Sequence, residues 1–108
     1  MLLASSSSTA QVIDYTPVSE EMLRNPGPGE WLNWRGTDNA WGYSPLDQIT
    51  LDNVGELQLA WSWAMDETGS QEAAPLAHDG ILYVPNPRGV IQALDGATGD
   101  LIWEYRPG

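Results

Sequence analysis

The sequence holds no cysteine, no lysine, no phenylalanine and a single histidine, His78, in 108 residues. Without a thiol there is no disulfide, no thiolate metal site, no cysteine nucleophile and no covalent c-type haem attachment within these residues. One imidazole makes no metal site either, so His78 reads as a packed or surface structural residue. Positive charge is scarce: four arginines face fifteen acids, for a formal net charge of −11. Such a surface repels phosphate backbones and anionic lipid, which removes nucleic acid as an expected partner. The acids are spread from Asp14 to Glu104 without forming a block, the pattern of a solvated acidic face rather than an interaction tail. No run approaches the roughly 18 apolar residues of a membrane span.

What is present is tryptophan, glycine and proline: six, eleven and eight residues, in a chain that is 42% apolar. That mixture predicts short elements joined by many turns, with a modest core. Residues 1–11, uncharged and Ser-rich, read as the remnant of a signal peptide or as an ordinary flexible N-terminus. Residues 12–56 read as an irregular Trp-rich arm with short helices. Thr16 and Pro17 are placed as N-cap and first helical residue of a two-turn helix ending at Arg24, before Pro26. Trp31, Trp34 and Trp41 lack helix or strand period, so they are expected as packing anchors rather than a sugar-binding platform. Arg35 and Arg88 are expected to stack on rings more than to meet an acidic ligand. Thr50 is the expected N-cap of a second helical turn, made marginal by Gly55.

From residue 57 the period changes. Leu57, Leu59, Trp61 and Trp63 alternate with Gln58, Ala60, Ser62 and Ala64, which predicts a half-buried strand over 57–65. Three more strands are predicted over Ala74–His78, Ile81–Pro85 and Val90–Leu94, and a fourth blade strand over Leu101–Tyr105. Asp79-Gly80 between apolar runs is a two-residue hairpin signal, and residues 95–100 are dense in turn formers. Four short antiparallel strands form a meander that cannot bury both faces alone. It therefore reads as one blade, residues 66–108, of a radial β-propeller, an architecture whose period is roughly 40 to 50 residues. By position, residues 57–65 would be the outer strand of the closing blade.

The segment from Ala93 to Trp103 resembles the tryptophan-docking motif of quinoprotein alcohol dehydrogenases. Its parts are a small Ala93, then Asp95, Thr98, Gly99 and a terminal Trp103. Asp95 and Thr98 can bond local amides, Gly99 can take positive φ, and Trp103 can then dock on the neighbouring blade. Further segments follow the N-terminal region of the methanol and ethanol class of these enzymes in order: Glu21–Asn25, Trp31–Arg35, Trp41–Ile49, Leu59–Trp63 and Asp79–Tyr83. The resemblance covers about residues 16–106.

It implies an all-β, eight-bladed propeller binding pyrroloquinoline quinone (PQQ) and a calcium or lanthanide ion in a central funnel. It also implies oxidation of small primary alcohols in the periplasm with a cytochrome c as acceptor. One cofactor contact carries over: Glu72, just before the innermost strand, stands where the family places a Glu against the quinone. The family's vicinal disulfide, metal-binding Glu and Asn, catalytic Asp and quinone-stacking Trp lie in later blades, so these residues hold no catalytic or metal-ligating group. The resemblance thus implies a fragment that is inactive alone and needs the remainder of the propeller. Two other readings stay open: a non-catalytic propeller scaffold, and a stand-alone binding module.

Overall fold

The structure is a computed structural model that describes residues 14–65 and 68–108. The expected leader remnant, residues 1–11, lies outside the described residues. Four strands form one antiparallel sheet in sequence order: β1 (Leu76–His78), β2 (Ile81–Pro85), β3 (Ile91–Asp95) and β4 (Leu101–Tyr105). The predicted meander is therefore present. The Asp79-Gly80 turn joins β1 to β2 with His78 opposite Ile81. Asp79 and Gly80 both take positive φ, 55° and 79°, the backbone of a type I′ hairpin whose twist matches that of the strands.

Two strand boundaries move from their expected places. β1 begins at Leu76 rather than Ala74, because Pro75 has no N–H for a ladder. β3 begins at Ile91 and runs on to Asp95. Val90 instead closes the β2–β3 connection, its carbonyl accepting from Asn86 N at 2.7 Å. A register shift between Ala93 and Leu94 sets Ala93 opposite Trp103 and Leu94 opposite Leu101.

The helix is shorter than its sequence pattern predicts. α1 spans Glu20–Arg24, capped by Ser19, whose Oγ accepts from Met22 N at 3.2 Å. Thr16 is no cap. Its carbonyl is taken by His78 Nε2 at 2.7 Å, and the chain is still extended at Ser19 before the helix begins. Glu20 and Glu21 fall in the first turn and Arg24 in the last, as the helix dipole favours. The second helical turn is a single 3₁₀ turn, Val54–Glu56. It is organised by Asn53, whose Oδ1 accepts from Thr50 N at 2.7 Å, and not by the Thr50 side chain.

The arm pairs by backbone with the sheet edge at one point among the described residues. Trp31 and Ala77 exchange two backbone hydrogen bonds, of 2.8 and 2.9 Å, on the outer side of β1. Residues 57–65, expected as a strand, form no ladder with the described residues. Leu57 and Leu59 are 61% and 84% exposed, while Trp61 and Trp63 are half-buried. The segment meets the sheet through its indoles, which donate to the β3 side chain Gln92 and to the carbonyl of Gly96 in the turn beyond it. The buried apolar core is small: Ile81, Val90, Ala93 and Leu94. Ile81, Ala93 and Leu94 lie in the sheet and Val90 in the β2–β3 connection.

Candidate functional site

The turn after β3 is built by its own side chains. Asp95 Oδ1 accepts from Ala97 N at 2.8 Å and from Thr98 N at 3.0 Å, and Thr98 Oγ1 accepts from Asp100 N at 3.2 Å. Gly99 N donates to Asp95 O at 2.8 Å with its own φ at 78°. These bonds hold the peptide of Gly99 as a flat seat. Trp61 occupies it: a methyl group on Gly99 would fall 2.6 Å from Trp61 Cδ2. The indole N–H reaches past the seat to donate to Gly96 O at 3.0 Å.

The sequence names Asp95, Thr98 and Gly99 as the turn and Trp103 as the docking residue. The structure joins the first three and seats Trp61 on their turn, while the neighbouring blade on which Trp103 is expected to dock is not among the described residues. Trp103 stands opposite Ala93, which is fully buried, with its ring 6.0 Å from that of Tyr83 at 53°. Together with Ala74, Leu76, Pro85 and Ile91, these two rings line an open apolar groove of about 350 Å³. The groove lies on the face that carries Ala93. Gln92, one residue earlier, points to the opposite face, towards Trp63.

Gln92 is 1% exposed and anchors that opposite face. Its Oε1 accepts from Trp63 Nε1 at 2.9 Å and from Asn86 Nδ2 at 3.0 Å, and its Nε2 donates to Glu104 Oε2 at 2.7 Å. Glu104 also accepts from Arg106 Nε at 2.5 Å. The Gln92 and Arg106 donors together hold the Glu104 carboxyl below the usual carboxylate range. A lone Gln between Ile91 and Ala93 in a strand is the signal of this network, and Trp63 is its unforeseen partner.

Glu72 lies exposed in the segment before β1 and makes no hydrogen bond among the described residues. Its neighbour Gln71 ties that segment to β2 by donating from Nε2 to Pro85 O. Among the described residues no group of three His, Asp or Glu side chains could hold a metal ion. A single free carboxylate can meet one polar edge of a quinone. It cannot hold a ligand that itself bears carboxylates, which needs positive charge or shared protons beside it. These residues therefore fit one contact of such a site, and no catalytic step follows from them.

The aromatic arm divides. Trp31 is half-buried, but Trp34 and Trp41 are 69% and 72% exposed, so the expected packing is met at Trp31 and not at the other two. The Arg35 guanidinium lies 5.6 Å from the centre of the Trp34 ring, the stacking its sequence setting predicts. Arg88 occupies the β2–β3 connection with φ at 65°. His78 is structural, as expected, but it is bonded at both ring nitrogens.

The β-propeller domain family of PQQ glucose, ethanol and alcohol dehydrogenases matches residues 31–108. The chain belongs to that family. The dehydrogenase subunit of the quinone-dependent alcohol dehydrogenase of Gluconobacter oxydans is 44% identical to this PQQ-family chain over 80 residues, 74% of this chain and 11% of that one. A 1-butanol dehydrogenase (cytochrome c) of Thauera butanivorans is 43% identical over 79 residues, with 73% and 11% covered. Among solved structures, the quinohemoprotein alcohol dehydrogenase ADHIIG of Pseudomonas putida superposes with a TM-score of 0.77 at 40% identity. That match covers 83% of this chain and 14% of that one. A europium-containing methanol dehydrogenase gives 0.69 at 30% identity, covering 77% and 15%. The PQQ-family chain thus spans about a tenth of the length of the curated relatives it matches. Its sheet is antiparallel and all-β, and its structural neighbours are propeller enzymes.

Proposed function

We propose that this chain is the arm and first blade of an eight-bladed, PQQ-dependent dehydrogenase that oxidises a primary alcohol to an aldehyde in the periplasm and is inactive alone. The observation that carries this reading is the seat of Trp61 on Gly99. A segment outside the sheet docks an indole on the blade's own turn, while the blade's Trp103 lines an open apolar groove on the face that carries Ala93. A unit that receives one indole and presents another is a repeat of a ring. Trp61 then takes the place that the previous blade's outer strand supplies, so residues 57–65 belong to the closing blade, whose ladder partners lie outside this chain. Trp34, Trp41 and Leu59 are the surfaces that the remaining blades cover.

In this proposal Glu72 contacts PQQ, which when bound supplies the two-electron acceptor. A calcium or lanthanide ion is held by residues beyond these 108, and the europium-containing neighbour supports the lanthanide alternative. A cytochrome c accepts the electrons, a role supported by the name of the Thauera butanivorans relative. The chain itself supplies position: the Asp95–Asp100 turn and Gln92 network hold the blade rigid, and the Gln71 tie holds Glu72 near the start of β1.

The test uses the Pseudomonas putida enzyme with residues 31–108 in place of its matched segment. Glu72→Gln in that chimera is expected to weaken PQQ retention roughly tenfold, the worth of one charge-assisted hydrogen bond, with unfolding midpoint unchanged. Unaltered PQQ affinity and turnover would remove Glu72 from the site. Titrated with PQQ and calcium, the 108-residue chain alone is expected to bind neither; tight binding by a folded monomer would contradict the fragment reading.

A further inference from the structure

His78 is 4% exposed, and both of its ring nitrogens face oxygen. Nδ1 lies 2.5 Å from Glu30 Oε2 and Nε2 lies 2.7 Å from Thr16 O. A backbone carbonyl has no proton to give, so Nε2 must donate. A carboxylate oxygen also only accepts, so Nδ1 must donate as well. The neutral ring has one N–H and satisfies only one of these contacts; the imidazolium satisfies both. The other oxygen of Glu30, Oε1, accepts from Asp79 N at 2.9 Å, a second hydrogen bond that favours the ionised carboxylate as the partner of the ring. Tyr15 closes over the pair, its ring edge-on to the imidazole at 5.8 Å.

These contacts join distant parts of the chain. Thr16, Tyr15 and Glu30 belong to the arm; His78 and Asp79 end β1 and begin its hairpin. Among the described residues the arm also meets the sheet through the backbone Trp31–Ala77 bridge. We infer that His78 is a protonated clasp that locks residues 14–31 of the arm onto the β1–β2 corner and releases them when the ring loses its proton. The inference rests on contacts inside this chain and stands apart from the dehydrogenase reading.

The surrounding charges agree with it. Facing His78 are Glu30 and Tyr15 from the arm, Asp79 from the turn, and Tyr83 from β2 beside the same cluster. The Glu30 hydrogen bond raises the His78 pKa above the ordinary histidine value, more than burial lowers it. Burial pushes Glu30 upward, but the Asp79 N–H and the His78 ring more than offset it, so its pKa falls. The His78 contribution is therefore complete below the unfolded histidine pKa and disappears as pH rises through the raised folded value. The Glu30 contribution is complete above the unfolded carboxylate pKa and disappears as pH falls through the lowered folded one. The clasp holds between those two folded values.

The sole histidine makes the test unambiguous, because its ring signals need no assignment. The 108-residue chain is labelled with ¹⁵N-histidine and followed by NMR from pH 5 to pH 10, in solution or by magic-angle spinning. Both ring nitrogens are expected in the imidazolium range at pH 7, with a midpoint above the ordinary value of about 6.5, and Glu30→Gln is expected to bring it down. A neutral ring at pH 7, or a midpoint that Glu30→Gln leaves in place, would overturn the inference. Trypsin provides the arm readout. At pH 7, His78→Gln is expected to speed cleavage at Arg24 about tenfold relative to cleavage at Arg88 in the β2–β3 connection, the effect of losing a clasp of about 1.4 kcal/mol. An unchanged ratio would show that the arm does not depend on His78.

Discussion

Gly99→Val is expected to abolish the Trp61 seat and to destabilise the blade by about 3 kcal/mol. Two effects add. Valine at a φ of 78° costs roughly 1–2 kcal/mol, because a β-branched side chain is strained in the left-handed region. Its Cβ would also sit where Trp61 Cδ2, Cε3 and Cγ now lie, at 2.6 to 2.8 Å, so the ring must leave. That loses its hydrogen bond to Gly96 O and its half-buried packing, about 2 kcal/mol more. Trp61→Ala should cost about 2 kcal/mol without the backbone strain. The two sites touch, so the double variant should cost well under the sum, with a coupling of at least about 1 kcal/mol. Urea unfolding followed by circular dichroism measures all three. Additive losses would mean that ring and glycine are independent, and would remove the docking geometry from the account.

Gln92→Leu should cost about 2–4 kcal/mol even though the side chains are close in volume. The loss is polar. Gln92 Oε1 satisfies Trp63 Nε1 and shares Asn86 Nδ2, and its amide satisfies Glu104 Oε2. Leucine leaves the indole N–H and the carboxylate without these partners in a region where Gln92 is 1% exposed. An unsatisfied buried donor costs about 1–3 kcal/mol. In a Trp63→Phe background the donor is already gone, so Gln92→Leu should then cost about 1 kcal/mol less. An equal cost in both backgrounds, read from unfolding midpoints, would show that Trp63 does not depend on Gln92.

Much of the blade was legible in the residues because its rules are local. Asp79-Gly80 dictates a type I′ turn, and Asp95, Thr98 and Gly99 close their turn with bonds spanning at most five residues. What escaped the sequence is long-range. Ser19 displaces Thr16 as the helix cap because the Thr16 carbonyl is taken by His78, 62 residues away. The alternation of residues 57–65 reads as a strand, yet a ladder needs a partner strand, and in this chain the segment meets the sheet through two indoles. Trp61 as the docked ring and Glu30 as the partner of His78 lie 35 and 48 residues from their contacts. No spacing rule reaches that far. Glu72 is marked only by family resemblance, since its exposed setting has no local feature that distinguishes it.

The central proposal, that this chain is one blade and its arm from a PQQ-dependent alcohol dehydrogenase, is tested most directly by alcohol-dependent dye reduction in the chimera that carries residues 31–108. PQQ-dependent turnover within roughly tenfold of the parent enzyme is expected, a difference of about 1.4 kcal/mol in the barrier. Loss of that turnover is expected on Gly99→Val. A folded chimera that takes up no PQQ and oxidises no alcohol would contradict it.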